Sequence, residues 1–252
     1  ALRAELEADP AESTRRQAAA RTRAAVDRAA RVKGALRQWE DVRARKALKR
    51  DDDPEEKVRV STTDPDARVT KMADGGFRPA FNVQFAADTG SQIVVGVDVT
   101  NAGGDRGQMT PMLAQCERRY ARVPAEHLVD GGFVNHEAIT AAARQGCTVY
   151  TPEAISKQSP RPPGAPVPGD PPEVAAWRQR MQTDEAKAIY RERPGTIECV
   201  NAQARHRGLV QFLVRGLARV KVVATLYAVA HDILRALSLR AERRAAMATA
   251  GA

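Results

Sequence analysis

The chain has few cysteines, no long apolar run and no recognisable signal peptide. Cys116, Cys147 and Cys199 form no CxxC pair and have no histidine at ligand spacing. This scatter argues against a disulfide framework and against a zinc site, and it fits a reducing cytosol. The longest apolar run, residues 222–230 with one threonine inside it, is too short to cross a bilayer. We therefore expect a cytoplasmic protein with no membrane partner.

Acidic residues are in the minority. Against 40 Lys and Arg there are 31 Asp and Glu, which leaves a formal net charge of +9 on 252 residues. A basic balance of this size favours nucleic acid over an acidic small substrate as partner. The length allows one large domain or two small ones. The chain opens on alanine rather than methionine, which suggests a fragment or a processed start.

Composition divides the chain into three regions. Residues 1–58 are an Ala/Arg-rich segment that ends in the charged linker "KRDDDPEEK", and they predict one or two helices with a basic face. Such a segment is either a DNA-tracking basic helix or a solvated helical hairpin. Residues 59–243 hold alternating strand and helix patterns around a proline-rich loop at residues 160–172. Residues 244–252 are expected to be a disordered tail.

The middle region predicts an α/β fold. "PAFNVQFAAD" and "SQIVVGVDVT" read as a β-hairpin, followed by the helix "GQMTPMLAQCERRY", a short strand in "AEHLVDGGF", the helix "HEAITAAARQG" and the strand "CTVYTP". Helices are then expected at residues 177–190, 195–207 and 209–243. This order is typical of one mixed sheet covered by helices.

The tetrapeptide "DGGF" occurs twice, beginning at Asp74 and at Asp130. The first copy precedes a strand, so Asp74 is expected in a polar turn. The second copy closes the apolar pair Leu128 and Val129, where a buried strand would end. Because α/β folds place functional groups at the carboxyl ends of their strands, Asp130 is a candidate ligand or catalytic group.

A second candidate carboxylate lies in "YRERPGTIECVNAQARHRG". Glu198 stands among apolar residues, and an unpaired glutamate is costly to bury. Its partner is either Arg193 or Arg205 in a structural salt bridge, or a divalent metal shared with Asp130. Tyr190 lies on the same helical stretch.

Several other residues are expected to be structural. Trp177 is predicted to be a packing anchor rather than a base-stacking residue. The basic residues near the start of the last helix are predicted to form its solvated face, with a DNA contact as the alternative. These basic residues are Arg215, Arg219 and Lys221, and the residues predicted to pack inward are Leu213, Leu217, Val220 and Ala224.

Taken together, these segments resemble the DDE transposases of bacterial insertion sequences. The segments that carry the resemblance are "STTDPDARVTKMADGGFRPAFNVQFAAD", "VDVTNAGGDRGQMTPML", "LVDGGF" and the pattern Y-x2-R-x4-E-x6-R, in this order, between about residues 61 and 235. They are most similar to the branch with a helical insertion between the first two strands of the core. Residues 1–58 would be that insertion.

The resemblance implies a ribonuclease-H-like mixed sheet flanked by helices, with three carboxylates holding two Mg²⁺ or Mn²⁺ ions. Asp130 matches the family's second aspartate and Glu198 its glutamate. Tyr190 and Arg193 match the tyrosine and arginine upstream of that glutamate, and Arg205 stands where related proteins carry a lysine that contacts DNA. The implied activity is phosphodiester cleavage and strand transfer at insertion-sequence ends. The implied partners are the end and target DNA and a second copy in a synaptic homodimer.

The family's first aspartate has no clear counterpart in this chain. In the family it lies on the first strand, in a D-G-x element ahead of the helical insertion, so it is expected upstream of Ala1. Within the chain, Asp66 is the first alternative, and Asp88 and Asp98 come after it. Asp105 reads as the N-cap region of the next helix. The open alternative to an active core is therefore a catalytically inactive, DNA-binding remnant.

Overall fold

The computed structural model describes residues 10–47, 58–72, 74–155 and 161–250 of the chain. It divides the chain into two compact units, residues 1–80 and residues 81–252. The charged linker predicted at residues 49–57 lies outside the described residues.

The first unit contains one long helix and one hairpin. Helix α1 (Pro10–Ala47) is continuous, so the described part of the Ala/Arg-rich segment is a single helix rather than a helical hairpin. Its sparse apolar side chains remain largely in solvent, with Val26 63% and Leu36 61% exposed. Strands β1 (Arg68–Lys71) and β2 (Phe77–Ala80) pair antiparallel around the first DGGF turn.

The second unit contains two strand pairs. Strands β3 (Asn82–Ala87) and β4 (Val94–Thr100) form the antiparallel hairpin that residue alternation predicts, with an irregularity between Ala86 and Ala87. Strands β5 (Glu126–Leu128) and β6 (Thr148–Tyr150) run parallel to each other. Helix α2 (Met109–Tyr120) connects the two pairs, and α3 (His136–Arg144) provides the crossover that a parallel pair requires.

The expected single mixed sheet is not formed by the described residues, whose strands make three separate two-stranded sheets. The mixture of parallel and antiparallel pairing is present, but no described strand joins β3 to β5. The α/β class is therefore confirmed, while the one-sheet prediction is wrong for the described residues.

Two of the predicted helix boundaries are corrected. The helix predicted at residues 177–190 is split into α4 (Pro172–Arg180) and α5 (Asp184–Tyr190), because the Thr183 hydroxyl accepts the Ala186 N–H and starts a new helix. A π-helical turn (Pro194–Glu198) then leads into α6 (Cys199–His206).

The last helix, α7 (Leu217–Ala250), begins later than predicted, because Gly208 and Gly216 adopt φ of +90° and +87° and separate it from α6. It also extends through residues 244–250, where a disordered tail was expected. By length and composition α7 could cross a membrane, which for one helix is weak evidence.

Each strand pair of the second unit supports its own apolar core. The β3–β4 hairpin packs on α7 through Val97, Val99, Val220 and Ala224. Of the four side chains predicted to face inward, Val220 and Ala224 are fully buried and Leu217 packs against this core, whereas Leu213 is 95% exposed. The β5–β6 pair packs on α2, α3 and α4 around Ile139, Val149, Val174 and Trp177.

Trp177 is an anchor of the second core, as predicted. It is 1% exposed, and its indole N–H donates to the Thr151 carbonyl at 3.2 Å. A base-stacking role would need an exposed ring face.

Candidate functional site

A groove of about 770 Å³ lies between β3 and β5. One wall is the continuous run 84–89, which includes the end of β3, and the other wall is the run 122–130, which includes β5. Met109, Met112 and Cys116 of α2 also line the groove, as do Arg193, Thr196 and Ile197. Asp130 lies at one end of this groove, immediately after β5 has ended.

The two DGGF segments have the same local turn. In the first, the Asp74 carboxylate accepts the Gly76 N–H at 3.0 Å, and in the second, the Asp130 carboxylate accepts the Gly132 N–H at 2.8 Å. Each aspartate thus accepts a hydrogen bond from the backbone N–H two residues later, which is the usual Asx-turn bond.

Their surroundings differ. The other oxygen of Asp74 pairs with Arg78, on an exposed part of the first hairpin, and this bond together with the stronger one from Gly76 lowers the pKa of Asp74. Asp130 instead follows the buried Val129, and its carbonyl accepts the hydroxyl of the fully buried Thr151 at 3.0 Å. The turn prediction for Asp74 and the strand-end position of Asp130 are both confirmed.

A third aspartate lies beside Asp130. A Cβ built on Gly132 would be 3.0 Å from Oδ1 of Asp130 and 3.5 Å from Oδ2 of Asp105. These two distances together mean that the two carboxylate oxygens are at most 6.5 Å apart. Gly132 is therefore the residue that allows two carboxylates to approach this end of the groove.

The sequence suggested that Asp105 caps the following helix, but its side chain does not do so. Helix α2 has Gln108 at its N-cap position and no side-chain cap bond. The Asp105 carboxylate instead accepts the side-chain amides of Asn82 and Gln84 through one oxygen, Oδ1, each at 2.7 Å. Asn82 and Gln84 are alternate residues of β3 and so share one face, which is the sequence signal that could have identified this arrangement.

Tyr190, Arg193 and Glu198 form one contiguous group. The Arg193 guanidinium lies 5.8 Å from the centre of the Tyr190 ring and 3.6 Å from the Glu198 carboxylate. Of the alternatives for Glu198, the salt bridge to Arg193 is therefore observed. The Glu198 side chain is 63% exposed, and no hydrogen bond or ion pair in the described part of the chain joins it to Asp130.

The other candidate residues have structural partners or lie apart from the groove. Asp88 accepts the amide and hydroxyl of Ser91 and closes the hairpin turn, and Asp98 pairs with Lys221 at 2.5 Å. Asp66 belongs to the first unit. Arg205 is exposed near the end of α6.

Burial shifts the pKa values of His127 and Cys116, which line the groove, and of Cys147 in the β5–β6 core. It lowers the pKa of His127 to about 4, so this imidazole is neutral at pH 7. Burial also raises the pKa of the Cys116 thiol, and raises that of Cys147 to about 11. These buried thiols are therefore protonated at pH 7.

Within residues 10–47, 58–72, 74–155 and 161–250, no three His, Cys, Asp or Glu residues are arranged to hold a metal ion. Asp130 and Asp105 approach each other, but among the described residues no third carboxylate joins them.

Residues 172–237 match the family model of a transposase DDE domain. The match supports a place for this chain in a DDE transposase family. No curated protein and no solved structure matches the chain.

The transposase match contains four of the five residues singled out from the sequence. Tyr190, Arg193, Glu198 and Arg205 all lie between residues 172 and 237, and Asp130 lies outside it. The match starts with α4 and ends inside α7, so it spans the Tyr190–Arg193–Glu198 group and the helices from α4 to the first part of α7.

Proposed function

We propose that this chain is the catalytic core of a bacterial insertion-sequence transposase with a ribonuclease-H-like fold. Its reaction is metal-dependent cleavage of DNA phosphodiesters and strand transfer at insertion-sequence ends. The observation that carries the proposal is the transposase DDE domain match, which includes the Tyr190–Arg193–Glu198 group. Asp130, at the end of a strand beside the groove, is the second carboxylate of the proposed site.

The oxygen ligands of this site suit Mg²⁺ or Mn²⁺. Asp130 and Asp105 offer carboxylate oxygens within 6.5 Å of each other, and hard cations prefer such ligands. Glu198 would join them by exchanging its ion pair with Arg193 for a metal ion. Ions held there would supply a nucleophile activated from water or a 3′-hydroxyl and stabilisation of the leaving oxygen.

The remaining carboxylate of the family's set, its first aspartate, is proposed to lie on a strand that precedes the Ala/Arg-rich helix in the intact protein. Asp88 and Asp98 are poor substitutes, since Asp88 already accepts the Ser91 hydroxyl and Asp98 pairs with Lys221 on α7. Asp66 remains the alternative within this chain.

The proposed partner is DNA. The net charge of +9 supports attraction to a polyanion, and the exposed Arg205 is proposed to contact a phosphate, where arginine can form a bidentate bond. We further propose that the protein acts as a homodimer in the synaptic complex. Its proposed location is the bacterial cytoplasm, and no membrane partner is proposed.

The test of the site is Mn²⁺ binding by the folded chain, followed by paramagnetic broadening of its amide resonances. The amides of Gly132 and Glu198 should broaden before the rest of the second unit. Asp130→Asn should weaken Mn²⁺ binding at least about tenfold, because it removes a charged ligand, while its amide oxygen still accepts the Gly132 N–H.

Asp74→Asn is the matched control, since it makes the same change in the same tetrapeptide. It should leave Mn²⁺ binding unchanged. Equal loss in both variants, or no selective broadening near Gly132, would refute the metal site.

A catalytically inactive DNA-binding remnant is the second candidate, favoured by the lack of a three-residue metal cluster in the described part of the chain. A remnant would bind DNA in a salt-dependent manner and show no selective Mn²⁺ binding at Asp130.

A further inference from the structure

The turn between α6 and α7, residues 207–216, leaves α6 in a fixed direction. The Gly208 N–H donates to the Arg205 carbonyl at 3.0 Å, and the Leu209 N–H donates to the Ala204 carbonyl at 2.9 Å. This pair of bonds around a glycine with positive φ is the Schellman arrangement that ends many helices. The start of the α6–α7 turn is therefore determined by its own backbone hydrogen bonds.

Alternate residues then anchor the same turn to the β3–β4 core. Phe212 and Val214 both pack against this core, and the Phe212 ring meets the Phe81 ring edge to face, with the ring centres 6.4 Å apart. Leu213 stands between these two anchors and is 95% exposed. A second glycine with positive φ, Gly216, separates the turn from α7. The backbone is thus held on both sides of an exposed leucine.

Leu213 is not alone at the surface of this turn. Val210 is 73% exposed, and Gln211 beside it is also exposed. A single exposed apolar side chain is common on protein surfaces and indicates nothing by itself. An apolar side chain projecting from an anchored turn is, however, what many DNA-bending proteins insert between base pairs, with Arg, Lys, Asn or Gln contacting the adjacent groove.

The surroundings of the turn are strongly basic. Residues 199–231 contain no Asp or Glu. Arg207 and Arg215 belong to the turn, Arg205 lies in the last turn of α6 and Arg219 in the first turn of α7, and all four are exposed. Within the described residues, no ion pair neutralises Arg205, Arg215 or Arg219. This charge is complementary to a polyanion.

Two polyanionic surfaces combine negative charge with an apolar interior, namely DNA and an anionic membrane. The turn offers one leucine and one valine, whereas even a whole myristoyl chain gives only marginal membrane binding. DNA needs less apolar area, since one side chain is enough to separate two base pairs. The eight residues of α6 place the turn about 12 Å along the helix from Glu198, which corresponds to about four base pairs of duplex.

We propose that Leu213 inserts between two stacked base pairs of double-stranded DNA. The arginines around the turn, Arg205, Arg215 and Arg219, hold the neighbouring phosphates. Insertion separates and bends the base step, so the chain favours a duplex that is easily unstacked over one that is not. The proposal rests on the proposed function, because it takes the DNA held near Glu198 as the partner.

The test is a fluorescence anisotropy titration of two DNA duplexes of equal length and charge with the full chain, in the absence of metal. One duplex is fully paired, and the other carries two adjacent mismatched pairs at its centre. The chain should bind the mismatched duplex at least about tenfold more tightly, because less stacking is lost on insertion there. Leu213→Ala should abolish this preference and keep the affinity for the paired duplex.

Leu226→Ala is the matched control, since it makes the same change at a leucine of α7 that is 63% exposed. It should keep the preference for the mismatched duplex. Arg215→Gln should weaken binding to both duplexes equally and reduce the slope of log K against log salt concentration by about one. The emission of Trp177 during urea unfolding confirms that each variant is folded.

Equal affinity of the unmodified chain for the two duplexes, or a preference that Leu213→Ala retains, overturns the proposal. Equal loss of the preference in Leu226→Ala overturns it too. So does a Leu213→Ala variant with unchanged DNA preference that loses binding to vesicles of phosphatidylcholine and phosphatidylserine, or loses self-association in sedimentation. The exposed leucine would then serve a membrane or a second copy of the chain.

The two proposals fail in different ways. Binding to both duplexes without a preference overturns the insertion of Leu213 and leaves the proposed function standing. Absence of binding to either duplex refutes DNA as the partner, and with it both proposals. Loss of the Mn²⁺ site at Asp130 leaves the result of this metal-free titration unchanged.

Discussion

Arg178 is predicted to be the side chain on which the proline-rich loop depends. It lies on α4, is 5% exposed, and pairs with Glu153 at 2.5 Å and with Asp170 at 2.7 Å. The side chains of Glu153 and Asp170 are themselves only 3% and 7% exposed. Arg161, at the start of the loop, also pairs with Glu153. The network joins Glu153, which precedes the loop, and Arg161 and Asp170, which lie within it, to Arg178 near the start of the transposase match.

Replacing Arg178 with methionine keeps the apolar stem and removes the charge, which leaves the buried Asp170 without its arginine and takes one partner from the buried Glu153. Breaking a buried ion pair in this way costs about 3–5 kcal/mol of unfolding free energy. Glu153 keeps Arg161 and the Gly164 N–H, so the lower half of that range is expected. A unit of this size should then lose about 6–15 °C in Tm.

The assay is urea unfolding in a Trp39→Phe background, so that the emission of Trp177 alone reports on the second unit. The triple variant Arg178→Met, Glu153→Gln, Asp170→Asn neutralises the stranded carboxylates and should recover most of the loss. A loss below about 1 kcal/mol for the single variant, typical of an exposed pair, would contradict the reasoning. A triple variant no more stable than the single one would contradict it as well.

The pH dependence of the stability lost in Arg178→Met gives an independent check of this ion-pair network. The bonds from Arg178 are the first cause of the lowered pKa of Asp170, and for Glu153 the bonds from Gly164, Arg161 and Arg178 outweigh the opposing effect of burial. A carboxyl with a lowered folded pKa adds stability above its unfolded pKa, and this stability is lost as the pH falls through the folded value. The penalty of Arg178→Met should therefore shrink below about pH 4.

Three further outcomes are expected. The pKa of His127 falls from 6.5 to about 4 on folding, so the free energy of unfolding should decrease by up to about 3 kcal/mol as the pH falls from 6.5 to 4. In urea unfolding at a series of pH values, His127→Gln should remove this decrease. Gly96→Ala would place a Cβ 2.4 Å from the Met112 sulfur, so it should cost about 1–3 kcal/mol in thermal unfolding and be partly rescued by Met112→Ala. Gly132→Ala would crowd both carboxylates and should weaken Mn²⁺ binding in the paramagnetic assay, whereas Gly76→Ala should not; equal effects would contradict the site.

Local patterns in the sequence were sufficient for the elements that depend on local chemistry. The alternation around the Thr89–Gly90 turn predicted the β3–β4 hairpin, and an apolar pair stopped by glycines placed Asp130 at a strand end. The break between α4 and α5 also had a local signal, since Thr183 is followed by two acidic residues. That signal was outweighed by the helical propensity of the surrounding residues.

Long-range features had no such signal. The amides that hold Asp105 come from β3, more than twenty residues earlier in the chain, and nothing near Asp105 distinguishes this role from a helix cap. Leu213 has the spacing of a core residue but lies in the turn between two glycines with positive φ, which turns its side chain to solvent. The separation of the strands into pairs is likewise a matter of which edges meet, and sequence periodicity predicts faces rather than edges.

The two DGGF segments show how far a short motif determines chemistry. Their sequence fixes an Asx turn in both places, with nearly equal hydrogen bonds to the glycine two residues on. At Asp74 the charge is compensated locally by Arg78, four residues along the same hairpin. At Asp130 the nearest charged neighbour across Gly132 is another carboxylate, Asp105. Like charges at this separation repel, and a divalent cation relieves that repulsion. The same tetrapeptide therefore closes a turn in both units, beside an arginine at Asp74 and beside a second carboxylate at Asp130, and the difference comes from the elements packed around it.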